Sequence, residues 1–167
     1  DTGIRVESTT PYLLSVARTP SGYLQLILSH DGGGGNSALQ HWYSTDGGGS
    51  WTAVSETLSD CWCGQLTACD DGSVLLWYIG SDNKGYTSRI SEPAQDFTSR
   101  AVVVSPPGAA DTTYAKDQDS LGVCVLDDHT IQLGLVVGDS GSFGKRLRMI
   151  RFPQDVAGKS DAILQFY

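Results

Sequence analysis

A short apolar run, a polar turn and a longer apolar run occur three times along this chain. They read "LLSVARTPSGYLQLILSH" from Leu13 to His30, "QLTACDDGSVLLWYIGS" from Gln65 to Ser81, and "LGVCVLDDHTIQLGLVVG" from Leu121 to Gly138. The turns TPSG, DDGS and DDHT hold residue types that reverse a chain between strands. Each long run leads into a loop of Gly, Asp, Ser or Asn ("DGGGGNS", "SDNKG", "GDSGSFG") and then into a third run: "ALQHWYS", "YTSRIS", "KRLRMIRF". Gly22 and Gly72 are 50 positions apart, and aligning Gly72 with Thr130 makes the next step 58. A repeat of roughly 50 residues belongs to propeller blades and similar arrays, in which one unit cannot bury its faces alone.

Leu24, Leu26 and Leu28 alternate with Tyr23, Gln25 and Ile27, and Leu75, Trp77 and Ile79 alternate with Val74, Leu76 and Tyr78. Both faces of these strands carry apolar groups, so each sheet is expected to be covered on both sides. No stretch has the pattern of an amphipathic helix. The expected fold is all-β: about three antiparallel, propeller-type blades in one unit over 1–167, with approximate limits 8–57, 60–105 and 112–167. A β-sandwich gives similar signals and stays open as the alternative.

The chain has 167 residues, 40% of them hydrophobic and 18% charged, enough for a cored domain and unlike a disordered chain. No apolar run is long enough to span a membrane as a helix. A net charge of −8 argues against nucleic acid or an anionic membrane as the main partner. Beginning at Asp1 without a methionine or leader, the chain reads as a processed product or a piece of a longer protein. Cys61, Cys63, Cys69 and Cys124 are too few for a disulfide scaffold and too irregular for a metal site. Buried or partly buried thiols are expected, with a Cys61–Cys69 bridge across a hairpin left open. No cofactor or metal is implied.

Between His41 and Val54 the chain reads "HWYSTDGGGSWTAV", which fits S-x-D-x-G-x-S-W at Ser44, Asp46, Gly48, Ser50 and Trp51. A tight turn here needs a residue free to take positive φ, which Gly48 supplies. Ser44, Asp46 and Ser50 can bond backbone groups left unpaired in the turn, and Trp51 can pin it with a large apolar body. The motif resembles the Asp box, or BNR repeat, of sialidase-type β-propellers. The resemblance implies a structural turn at the blade edge, away from any catalytic face. The other two repeats lack the box; "SRISEPAQDFTS" keeps only Phe97 where the tryptophan would stand.

Sialidases, as the resemblance implies, hold a carboxylate with three arginines and use an aspartate acid/base and a Tyr–Glu nucleophile pair. The first arginine sits in an R-I-P motif. Here Pro11 matches the proline, but Thr9 or Thr10 stands where the arginine belongs, Arg5 is too early and Arg18 too late. Arg89, Arg100, Arg146, Arg148 and Arg151 remain; Arg146 and Arg148 share one face of a strand as candidate ligand contacts. Glu7, Glu56 and Glu92 lack the setting of a nucleophile's partner, and the turn residues Asp31, Asp70, Asp71, Asp127 and Asp128 are ordinary for turns. "DGGGGN" beside His30 lacks the ending of a phosphate loop. No catalytic residue is assigned.

The resemblance implies a non-catalytic, glycan-directed recognition or assembly module in a larger extracellular or virion-type structure such as an adhesin. Its expected partners are further blades of the parent protein or a second copy, and cell-surface glycan. Trp42, Trp62, Tyr86 and Tyr114 are the candidate stacking platforms for sugar. A fragment of a sialidase-like glycoside hydrolase and a purely structural scaffold are the alternatives.

Overall fold

The computed structural model describes residues 11–31, 37–54, 58–59, 61–80, 85–90, 97, 99–103, 121–126, 129–138 and 145–154. Among them every regular element of any length is a strand, and all pairing is antiparallel. The first sheet takes β1 (Pro11–Arg18), β2 (Leu24–Asp31), β3 (Ser37–Ser44) and β4 (Thr52–Ala53) in that order, with β5 (Leu58–Ser59) also on β3. The second takes β6 (Cys61–Ala68), β7 (Val74–Gly80), β8 (Gly85–Ile90) and β9 (Ser99–Val103), and the third β10 (Leu121–Val125), β11 (Thr130–Gly138) and β12 (Lys145–Pro153). Each sheet is a local meander, and no described strand leaves its own sheet for another. That distinguishes the chain from a Greek-key sandwich, in which connections return to distant strands.

The three repeated turns fold alike. Thr19 N–H donates to Tyr23 C=O, Cys69 N–H to Ser73 C=O, and Leu126 N–H to Thr130 C=O, at 2.9, 2.8 and 2.8 Å. Inside each loop Gly22, Gly72 and His129 N–H donate back to Thr19, Cys69 and Leu126. These three residues have φ of +94°, +87° and +59°, the left-handed position that closes a three-residue hairpin. The equivalent of Gly72 is therefore His129. The alignment with Thr130 was one residue out, and the second step of the repeat is 57 positions. Nothing in DDHT marks histidine for positive φ, a conformation that side-chain-bearing residues seldom adopt.

The sheets stack face to face, with β1, β6 and β10 as neighbouring strands. Ala17, Ile27 and Leu39 of the first sheet form one core with Leu66, Val74, Leu76, Tyr78 and Tyr86 of the second. Gly64 makes room for this contact. A Cβ there would lie 3.0 Å from the Cδ1 atoms of Ile27 and Leu39. The other face of the second sheet presents Leu75 and Trp77, and the third sheet presents Ile131 and Leu133; all four are fully buried. Alternate residues of β7 thus serve two junctions, as apolar groups on both faces predict.

Candidate functional site

The S-x-D-x-G-x-S-W turn closes on itself. Ser44 lies at the end of β3, and its hydroxyl donates to Asp46 Oδ1 at 2.7 Å while accepting from Gly48 N–H at 2.8 Å. Asp46 Oδ1 also accepts from Ser50 N–H at 2.9 Å, and Oδ2 from the Ser50 hydroxyl at 2.7 Å. The Ser50 backbone bond, then the Ser50 and Ser44 hydroxyls, hold the Asp46 carboxyl well below the usual carboxylate range. Gly47 and Gly48 have φ of +72° and +97°, and Trp51 packs half-buried on Leu26, Leu28 and Trp42. Both Asp46 oxygens are engaged within the turn, a poor state for a general acid or base, whose proton must be free to move.

A second polar cluster joins the second and third sheets at their hairpin turns. Asp70 Oδ2 meets His129 Nδ1 at 2.6 Å and accepts from Gln154 Nε2 at 2.9 Å; Asp70 N–H donates to Gln154 Oε1 at 2.9 Å. Arg89 binds Asp71 Oδ2 at 2.7 Å and Ser73 Oγ at 3.0 Å, and its other terminal nitrogen donates to Gln154 C=O. Hydrogen bonds from His129 and then Gln154 lower the Asp70 pKa. Burial pushes Asp71 upward, but Ser73 and Arg89 more than offset it, and its pKa ends lowered. Burial raises the nearby Cys69 thiol. From sequence alone Asp70 and Asp71 read as ordinary turn residues, Arg89 as one of the remaining candidate arginines, and Gln154 carries no assigned role. The partners that join the two sheets are 59 to 84 residues apart, and only the corrected turn alignment puts His129 where it can reach Asp70.

Of the proposed stacking platforms, Trp42 is 8% exposed, in the core with Leu26 and Leu28, and Tyr86 is 6% exposed and stacks on Tyr78 with centroids 5.4 Å apart. Both serve the core and offer no exposed flat face to a sugar. Apolar residues on both strand faces hid this, because alternation alone does not tell a covered face from an open one. Trp62 falls at the register shift between Cys61 and Cys63 in β6, and Tyr114 lies outside the described residues. Arg146 and Arg148 are placed on β12 opposite Val137 and Leu135. Arg89 is held as above, and Arg151 Nε donates to Thr130 Oγ1 at 3.0 Å. Thr9, Thr10, Glu7, Glu56, Glu92, Asp127 and Asp128 lie outside the described residues.

Cys61, Cys69 and Cys124 form no disulfide; the first two are buried and the third is exposed. The bridge left open between Cys61 and Cys69 is not formed. β6 separates the two along its length, about 26 Å at roughly 3.3 Å per residue, whereas bridged Cα atoms lie within about 7 Å. His41 is buried, with Nε2 2.7 Å from Gln25 Oε1 and its ring against Phe97; burial lowers its pKa to about 4. Among the described residues no helix is long and apolar enough to cross a membrane.

No family model matches the chain, and no curated protein matches it in sequence. Solved structures do share its fold. A protein of unknown function from Dyadobacter fermentans DSM 18053 matches at a TM-score of 0.56 and 10% identity, over 84% of this chain and 37% of its own. The Hadza microbial sialidase Hz136 matches at 0.51 and 12% identity, over 92% of this chain and 32% of its own. The chain thus spans about a third of the length of each structure, and at such identities the likeness concerns the fold alone.

Proposed function

We propose that this chain is a non-catalytic recognition or assembly module. It supplies about three blades of a sialidase-like propeller, completed by further sheets and directed at cell-surface glycan in an extracellular or virion-type structure. The observation that carries the reading is the Asp-box turn set in a repeated hairpin, with both Asp46 oxygens held inside the turn. The commitment of Arg89 to Asp71, Ser73 and Gln154 adds support, since a carboxylate clamp needs guanidinium groups turned to the ligand. The likeness in fold to a solved sialidase supports the blade assignment.

Two assays on the purified chain test it. On a glycan array it binds at least one class of glycan, and with a fluorogenic sialoside it gives no turnover. Absence of glycan binding would reduce the module to a scaffold. The hydrolase-fragment reading is favoured by one observation, the fold shared with a sialidase about three times as long. Turnover that disappears in Arg146→Ala or Arg148→Ala would establish that reading instead.

A further inference from the structure

The strands β1 and β6 begin the first and second sheets, and each carries one extra residue at the same place. On β1 Pro11 pairs with His30 and Leu13 with Ser29, so two steps on β1 face one on β2, and Tyr12 is the residue over. On β6 Cys61 pairs with Gly80 and Cys63 with Ile79, and the residue over is Trp62. Thr19 and Cys69 close matching hairpin turns, and Tyr12 and Trp62 each stand seven positions before them. The two bulges are therefore one feature repeated. On β10 the pairing runs without a shift from Leu121 to Val125, and the matching position, Asp119, lies outside the described residues.

A bulge bends its strand, leaves the extra residue outside the ladder and recurs beside binding and active sites. What this bulge keeps is an aromatic ring. Over their eight positions β1 and β6, PYLLSVAR against CWCGQLTA, have no residue in common, and only the second position is aromatic in both. The two rings also belong to one place in the molecule. Ser15 donates to Gln65, its own equivalent, at 3.4 Å, and Leu39, level with Leu13 by way of Ser29, lies over Gly64. β1 and β6 thus run side by side in the same direction. Their bulges fall at the same end, opposite the hairpin turns and the Asp-box turn, which Ser44 joins to Leu24 beside the first hairpin. Stacked sheets lie about 10 Å apart, so Tyr12 and Trp62 are neighbouring backbone positions.

From this juxtaposition we infer that Tyr12 and Trp62 are the glycan contacts of the module, a paired platform for the C–H faces of pyranose rings. Tyrosine and tryptophan supply a large, rigid contact at small entropic cost, with a polar tip that can bond a sugar hydroxyl. Two such positions side by side offer an oligosaccharide two stacking contacts in place of one. The inference rests on the glycan-directed reading and names the site that reading needs. Trp42 and Tyr86 cannot serve, because the core holds them. Trp62 remains of the expected platforms, and Tyr12 joins it because the strand register makes the two equivalent.

The test compares the native chain with Tyr12→Ala and Trp62→Ala on an array of neutral and sialylated oligosaccharides. Each alanine variant lowers binding at least about tenfold, the loss expected at the centre of a binding site. Tyr12→Phe and Trp62→Phe keep most of it, since the ring makes the stack. Should the alanine variants fold poorly, hydroxyl-radical footprinting of the native chain decides. Tyr12 and Trp62 are oxidised in the free chain and protected by the array oligosaccharide that gives the strongest signal. Undiminished binding by the alanine variants overturns the inference and leaves glycan recognition standing. So does a Tyr12 and Trp62 pair that resists oxidation in the free chain, or whose oxidation the oligosaccharide leaves unchanged. A native chain that binds nothing on the array overturns the glycan-directed reading and the inference with it.

Discussion

The two junctions between sheets solve the same packing problem with different chemistry. Between the first and second sheets the contact is an apolar core of Ala17, Ile27, Leu39, Leu66, Leu76 and Tyr78 seated over Gly64. The Ser15 hydroxyl crosses it, accepting from Leu66 N–H at 3.0 Å and donating to Gln65 Oε1 at 3.4 Å. Between the second and third sheets Leu75, Trp77, Ile131 and Leu133 are buried, and a rim of Asp70, Asp71, Arg89, His129 and Gln154 ties the turns together. Apolar burial is non-directional and leaves the relative slide of two sheets weakly fixed. The rim supplies directed bonds that fix it, while Asp70 and His129 are too exposed for their pair to add much stability. The apolar junction fixes its slide by shape, through the recess at Gly64, together with the Ser15–Leu66 bond.

The largest expected effect is at the rimmed junction. Trp77→Ala removes a fully buried indole and should cost about 3–5 kcal/mol in denaturant unfolding. Among the described residues Trp77 Nε1 has no hydrogen-bond partner, so Trp77→Phe breaks no described bond and should cost far less. Equal losses in the two variants would mean that packing is not what holds this junction.

Next comes acid sensitivity on the first sheet's covering face. His41 is neutral in the folded chain down to about pH 4, but protonates near 6.5 when unfolded. The unfolded state therefore binds more protons between those values, and stability falls as the pH drops from about 6.5 to about 4, by about 3 kcal/mol in all. His41→Gln should flatten that slope. Asp46, Asp70 and Asp71 have lowered pKa values, so their contributions hold above the unfolded value of about 3.9 and are lost as the pH falls through the lowered ones. Their window is separate from that of His41.

The apolar junction is then tested by Gly64→Val. The added Cβ meets Ile27 and Leu39 Cδ1 at 3.0 Å, and overpacking of this kind costs about 1–3 kcal/mol. Combined with Ile27→Val the loss should shrink, because the second change deepens the recess. Additive losses in the double variant would show that Ile27 and Gly64 do not form a matched pair.

The all-strand architecture and the hairpins were legible because turn chemistry and apolar runs are local signals. So was the Asp-box turn, since Ser44, Asp46, Gly48 and Ser50 bond only within a few residues of one another. What was not legible depended on partners from another sheet. Burial of Trp42 and Tyr86 is set by which face a neighbour covers. The Asp70–His129 contact needs a turn register that DDHT leaves open, and the fit of Gly64 beneath Ile27 joins residues 37 positions apart.

The smallest effect should be the most informative about the rim. His129 holds a φ of +59°, where its equivalents are Gly22 and Gly72. His129→Gly relieves a left-handed strain of roughly 1–2 kcal/mol. Against that, glycine loses about 0.5–1 kcal/mol more in chain entropy, and an exposed polar contact such as Asp70–His129 is worth about 0.2–1 kcal/mol. The gains and losses nearly cancel, so thermal unfolding should change by less than about 1 kcal/mol. The converse substitution Gly72→His forces strain into a turn that has none and should destabilise by at least about 1 kcal/mol. If His129→Gly instead unfolds the third sheet, as read by hydrogen exchange along β11, then the rim holds the junction together. The two junctions would then differ in what stabilises them as well as in what aligns them.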